Sequence, residues 1–167
     1  MRATLAAAVA AIEKQLMAWH KSNPVSQRLA SVPGIGPIIA TAIAATVVEP
    51  SGFRSGREFA AWLGLVPRQN STGGKHRLGG ISKRGNPYLR RLLINGASAN
   101  LLRSKATNAD PWVIGLRRRR PPLVVAVALA NKTVRIAWAV CTGRRTTSAW
   151  PRRPRPLSHV LELAREQ

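Results

Sequence analysis

Residues 28–50 read "RLASVPGIGPIIATAIAATVVEP", and a Gly-Ile-Gly turn bracketed by Pro33 and Pro37 decides how this stretch folds. Pro37 suits the first turn of a helix, where its missing N–H would have no partner in any case. The run Ile38 to Val48 then proceeds with few polar interruptions until Glu49 and Pro50 stop it. The expectation is helix, tight hairpin, helix, with Gly34 and Gly36 supplying the backbone freedom the turn needs.

Towards the N-terminus, Leu5, Val9, Ile12, Leu16 and Trp19 are spaced 4, 3, 4 and 3 residues apart, the seam of a helix with alanines between. Two heptads are short for a coiled coil, so pairing with another chain and packing on the chain's own core both remain open. Towards the C-terminus, Ser55 or Gly56 starts a helix whose apolar face is Phe59, Trp62 and Leu63, read as core, and Gly64 stops it. Glycines at 73, 74, 79 and 80 make regular structure improbable until Asn86-Pro87 caps and opens the next helix. There Leu89, Leu92, Leu93, Ala97 and Leu101 form one stripe, and Gly96 allows a neighbour to approach closely. A break at residues 104–112 and the block "RRRRPP" precede a last helix over 123–141. The fold class expected is mainly α: a short coiled-coil-like helix (1–27), a helical domain with a helix-hairpin-helix-like element and a long glycine-rich basic loop (28–141), and an Arg/Pro-rich extended or disordered tail (142–167).

Charge narrows the partner. The chain carries 27 Lys plus Arg against 6 Asp plus Glu, a net +21, and between Glu58 and Asp110 there is no acid but nine basic residues. Nucleic acid fits that balance, since each phosphate neutralised by Lys or Arg also releases counterions; a merely solvated basic surface is the alternative. The single Cys141 forms no internal disulfide, which points to a reducing setting, and His20, His76 and His159 have no metal-ligand spacing. Apolar runs at 38–48 and 123–130 fall short of the roughly 20 residues a bilayer crossing needs. No membrane partner is expected, and a bacterial cytoplasmic, nucleoid-associated location is.

The hairpin resembles the helix-hairpin-helix element of many DNA-binding proteins, in which glycines let backbone N–H groups approach a phosphate beside a helix N-terminus. A plain tight turn between packed helices would look the same in sequence. The loop "STGGKHRLGGISKRG" at 71–85 poses the chemical question, with hydroxyls at Ser71 and Ser82 among Lys75, His76, Arg77, Lys83 and Arg84. A serine can attack a phosphodiester and hold the bond as phosphoserine for later rejoining, with cations stabilising charge on the phosphorus oxygens. Loop chemistry alone does not rank the two serines, and a phosphate-binding loop with incidental hydroxyls remains the alternative.

The ordered series "SVPGIGP", "FAAWLGLVPRQNSTGGKHRLGGISKRGNPYLRRLLINGA" and "VALANKTVRIAWAV" resembles the C-terminal domain of the insertion-sequence transposases grouped as the one-ten, one-sixteen and nine-oh-two families, serine recombinases guided by a bridge RNA. The resemblance spans residues 28–141 and implies DNA transposition, with the nucleophile at the start of the glycine-rich loop, here Ser71, eleven residues before Ser82. It implies nucleic-acid contacts at Gly34, Gly36, Arg68, Lys75, Arg77, Lys83, Arg84, Arg90 and Arg91. Family members also carry, ahead of this region, an acidic domain that binds divalent metal, expected to be Mg²⁺. Asp110 is the only aspartate here and no acidic tetrad can be built, so no metal site is expected in this chain and it reads as half an enzyme, inactive alone. The expected partners are DNA, a guide RNA, and further copies of this chain or a full-length transposase. The alternatives are a non-catalytic nucleic-acid-binding module, a remnant or regulator of transposition, and a basic structural protein of a ribonucleoprotein particle. The tail departs from the family pattern, as a frame-shifted end would.

Overall fold

A computed structural model describes residues 2–70, 78–103 and 110–144, the side chains of Arg2, Ala3 and Leu78 excepted. Among them the protein is mainly helical, with seven α-helices and one two-stranded sheet. In chain order these are α1 (Arg2–Ser22), α2 (Pro24–Ala30), α3 (Pro37–Thr46), α4 (Gly56–Trp62), β1 (Pro67–Gln69), β2 (Leu78–Ile81), α5 (Pro87–Arg103), α6 (Pro111–Arg117) and α7 (Pro122–Cys141).

Proline sets most of the boundaries. Five helices open on one, at Pro24, Pro37, Pro87, Pro111 and Pro122, the position where its lost N–H costs nothing. Polar side chains satisfy the neighbouring donors: Asn23 accepts from the N–H of Ser26 at 2.8 Å, Asn86 from Tyr88 and Leu89 at 3.0 and 3.1 Å, and Asp110 from Trp112 at 2.9 Å. At α4, Ser55 accepts from the N–H of Glu58, whose carboxylate reaches back to the N–H of Arg54, a near-reciprocal cap.

The long helix α7 sits at the centre, packed against α5, α4, α2 and α6, while α3 joins α2 and α5 on its far side. Leu29, Val32, Ile43, Leu63, Leu65, Leu89, Leu93, Val125 and Val134 are almost completely buried. α7 is apolar and long enough, by length and composition alone, to cross a bilayer. The apolar run therefore extends further than residues 123–130 suggest, and here it is spent on the core: Val125, Ala126, Ala130, Val134, Ala137, Trp138 and Val140 all face inward. Two polar groups of α7 complete its packing, with Trp138 Nε1 donating to the Pro50 carbonyl at 3.0 Å and Asn131 Nδ2 to that of Leu65 at 3.1 Å.

Two elements depart from expectation. Part of the glycine-rich loop is a strand, because Leu78–Ile81 pairs antiparallel with Pro67–Gln69; Gly79 lies across from the Arg68 Cβ, where a small residue lets the strands close. Residues 111–117, expected to belong to a break and a basic run, form α6, capped by Asp110. Lys132 on α7 holds that cap with a 2.6 Å ion pair to Asp110 and lies over the Trp112 ring, 4.7 Å from its centroid. Burial pushes the Asp110 carboxyl up, but Lys132 and the Trp112 amide outweigh it and the net shift is downward. A lowered carboxyl pKa contributes stability that is present above the unfolded value, about 3.9, and lost as pH falls through the folded one. Asp110→Asn keeps the cap and removes the charge. At neutral pH it is expected to unfold in urea with about 0.5–1 kcal/mol less stability than the parent, a small effect because the pair is partly exposed to solvent, and the difference should vanish near pH 3.

α1 settles one of the open alternatives. Only its last turns meet α2 and α3, where His20 Nδ1 lies 2.6 Å from the buried Ser26 hydroxyl, whereas Leu5, Val9 and Ile12 remain exposed. The chain's own described core does not cover this seam.

Candidate nucleic-acid interface

Ser71, Lys75 and Arg77 fall between β1 and β2 in the sequence, outside the described residues. The frame at both ends of that connection is described. Leaving β2, the chain turns back along the end of α4: the Ser82 N–H donates to the Val66 carbonyl at 2.8 Å and the Lys83 N–H to that of Gly64 at 3.2 Å. Lys83 adopts φ +58°, unusual for a residue with a Cβ, and Gly85 and Gly64 adopt φ +86° and +71°. The two glycines interlock backbone to backbone. A Cβ on Gly85 would overlap the Trp62 carbonyl oxygen, and one on Gly64 would overlap the Arg84 carbonyl and lie 2.7 Å from its nitrogen.

The basic side chains around this interlock divide by role. Arg90, half-buried on the first turn of α5, donates from Nη1 to the Leu63 carbonyl at 3.1 Å and the Arg84 carbonyl at 3.2 Å, tying α4, the loop and α5 together. Arg68 on β1 is exposed and donates from Nη2 to the Ser82 carbonyl at 3.3 Å. Lys83, Arg84 and Arg91 are exposed. Arg90 therefore builds the frame, and the others place charge on its surface. Sequence reasoning missed the structural part played by Arg90, Gly64 and Gly85. The signal was present in the paired glycines at the end of α4 and the start of α5, but which backbone each would meet is a long-range fact.

The hairpin lies elsewhere on α5. Gly34 adopts φ +90°, and the Ile35 N–H donates to the Val32 carbonyl at 3.0 Å, with both Val32 and Ile35 buried. Gly36 is exposed and precedes α3, whose start has no side-chain cap. Gly96 permits the contact with α5: a Cβ there would overlap the Gly34 carbonyl and lie 2.6 Å from Ile39 Cδ1. Gly96 is six residues beyond Arg90, roughly 9 Å along the helix at 1.5 Å per residue. One helix thus carries the hairpin and the basic loop at different heights.

Other groups have structural explanations. Phe53, Phe59 and Trp62 form an aromatic cluster with centroids 5.0–5.9 Å apart; Phe59 is core as expected, but Trp62 keeps 38% of its surface. Arg117 to Arg120 are exposed at the end of α6, where Arg119 Nε donates to the Gly115 carbonyl. Burial raises the Cys141 thiol above its ordinary value, with Arg28 pulling weakly the other way, which makes it a poor thiolate nucleophile. Among the described residues no three His, Cys, Asp or Glu side chains gather as a metal site would require.

A helical core presenting a glycine-anchored basic loop is the architecture of a phosphate-handling protein, and sequence comparison gives it a family. The transposases of the IS116/IS110/IS902 family match over residues 26–112, and this chain belongs to that family. It is 56% identical over 140 residues to a probable family 20 transposase of Pseudomonas aeruginosa, an alignment covering 82% of this chain and 41% of the relative. It is 43% identical over 141 residues to the transposase for insertion sequence element IS1111A of Coxiella burnetii, covering 83% and 39%. With the transposase for insertion sequence element IS1328 of Yersinia enterocolitica the identity is 45% over 133 residues, covering 78% and 40%. The chain spans about two fifths of the length of these relatives.

Proposed function

We propose that this chain supplies the DNA-binding, serine-bearing part of an insertion-sequence transposase, with Ser71 as the nucleophile that becomes joined to a DNA phosphate. The observation that carries the proposal is the frame around residues 70–86. Interlocked Gly64 and Gly85, the Arg90 clamp and the β1–β2 pairing hold both ends of a serine- and lysine-containing connection beside exposed Lys83 and Arg84. Such a frame supports positional catalysis, in which cations fixed near the reacting phosphorus meet charge as it develops. Gly34 and Gly36, with the uncapped start of α3, would add sequence-independent phosphate contacts.

Chemistry in this proposal takes two domains. The residues described here offer no acidic metal site, and the resemblance places that site, with its Mg²⁺, in an acidic domain of family members. A guide RNA and other protomers, including a full-length transposase, would complete the assembly in the bacterial cytoplasm, near the nucleoid. The direct experiment is covalent trapping: this chain is incubated with labelled donor DNA and Mg²⁺, with and without the acidic domain of a relative, and resolved on a denaturing gel. An adduct that needs the acidic domain supports the proposal. Its absence under both conditions, with duplex binding retained, would favour a non-catalytic binding module.

The binding half is tested separately. Lys83→Gln with Arg84→Gln removes two exposed cations while leaving the backbone interlock in place. The slope of log affinity against log salt for duplex DNA is expected to fall by nearly 2, at about 0.9 per phosphate contact. An unchanged slope would remove these residues from the interface.

A further inference from the structure

A cleft of about 530 Å³ lies between the α2–α3 turn and α5, away from the β1–β2 frame. That is within the roughly 300–1,000 Å³ of ordinary small-molecule sites and far more than one phosphate group needs. Its walls are of two kinds. Ile35, Ile38 and Leu92 give it apolar faces, and Ile38 leaves half its surface exposed there. Asn95 and Asn100 bring two carboxamides, each with donors and an acceptor, and Arg103 brings a fixed positive charge. The backbone of Gly34 to Pro37 forms the opposite lip, next to the first N–H groups of α3, which no side chain caps.

Each wall selects against some occupants. An apolar peptide would leave the two amides and the guanidinium without partners, and a bare anion would leave the apolar faces wet. A nucleotide satisfies both, because its base is a flat apolar body with a hydrogen-bonding edge and its phosphate is an anion. The net charge of +21 favours such a strand over any cationic or neutral ligand.

We infer that this cleft holds one unpaired nucleotide of a nucleic-acid strand, its base between the α2–α3 turn and α5 with its edge on Asn95 and Asn100, and its phosphate between Arg103 and the start of α3. Carboxamides match the N6 and N7 positions of adenine, which makes adenine the preferred base. A base taken out of a stack and held between apolar side chains is a known way for proteins to grip nucleic acid. The inference rests on the nucleic-acid reading of the basic surface, but it adds a base-dependent component which phosphate contacts alone do not have.

The test compares two short single strands, one of abasic sugar-phosphate units throughout and one carrying a single adenine, each made with deoxyribose and with ribose. The full chain is expected to bind the adenine strand about tenfold more tightly, a difference of about one bidentate base contact. Whichever sugar series shows the larger ratio identifies the strand as DNA or RNA. Ala99→Trp, which fills the cleft, and Asn95→Ala, at its exposed mouth, should each bring the ratio close to one, while duplex affinity and its salt slope stay at parental values. Should the tryptophan variant fail to fold, as a thermal melt would show, Asn95→Ala carries the test. A ratio of one in the parent chain, or an undiminished ratio in both variants, overturns the inference. Neither result depends on a Ser71 adduct, so loss of the catalytic proposal and loss of this one are distinguishable.

Discussion

Ser71→Ala is expected to abolish the covalent DNA adduct, lowering its yield by about three orders of magnitude or more, as removal of a nucleophile does elsewhere, whereas Ser82→Ala should leave most of it. The step forms a bond between the serine oxygen and phosphorus while the bond from phosphorus to a sugar oxygen breaks. The serine proton passes to a base and the departing oxygen gains one. The two serines differ in what the fold asks of them. Ser82 is half-buried at the end of β2, its N–H held by Val66 and its carbonyl by Arg68, so its backbone is already part of the frame. Ser71 stands one residue after Asn70 at the other end of the connection, and its position is the one the family resemblance implies for the nucleophile. Trapping with each variant under identical conditions decides between them, with adduct formation by Ser71→Ala at the parental level as the result that would sink the assignment.

How much of this was visible beforehand depends on the range of the interaction. Local signals worked: Pro37, Asn86-Pro87 and Ser55 mark real helix starts, and the Leu89, Leu93 and Ala97 stripe is buried as its spacing demands. The same chemistry at Asn23-Pro24 and Asp110-Pro111 also marks helix starts. There a short segment beside a break was taken for a connection, although a polar cap followed by proline was enough to find it. The β1–β2 pair lay beyond reach for a physical reason. Gly79 and Gly80 have poor intrinsic strand preference, and only the opposing Pro67–Gln69 segment makes the strand favourable. The α1 seam shows the reverse limit, since heptad spacing reveals an apolar face but not what covers it.

The candidate site was legible as composition and illegible as geometry. Lys83, Arg84 and Arg90 look equivalent in sequence, yet one guanidinium is bound to two carbonyls and the other two side chains are exposed. Likewise Gly64 reads as a helix stop, a correct but partial account, because its second task is to meet the backbone of residues 83 and 84.

That second task makes the interlock the most fragile point described. Gly85→Ala is expected to cost about 3–4 kcal/mol, combining a left-handed φ of +86° with a Cβ driven into a backbone carbonyl that no rotamer change can move. For a domain of this size that corresponds to a melting temperature lower by roughly 10 °C. Gly80→Ala is the control, since no atom stands within 4 Å of its Cβ position and its φ is unremarkable, so its cost should stay below about 1 kcal/mol. The effect should extend to function in a particular order. Displacing Gly85 from Trp62 also pulls the Arg84 carbonyl away from Arg90 and loosens both ends of the Ser71 connection, while the hairpin, lodged on Gly96, stays seated. At a temperature where the variant remains folded, adduct formation with the acidic domain supplied should therefore fall well before duplex affinity does. Equal losses of both would mean that the interlock supports the whole domain rather than the loop, and parental stability would show that the backbone can relax around the added carbon.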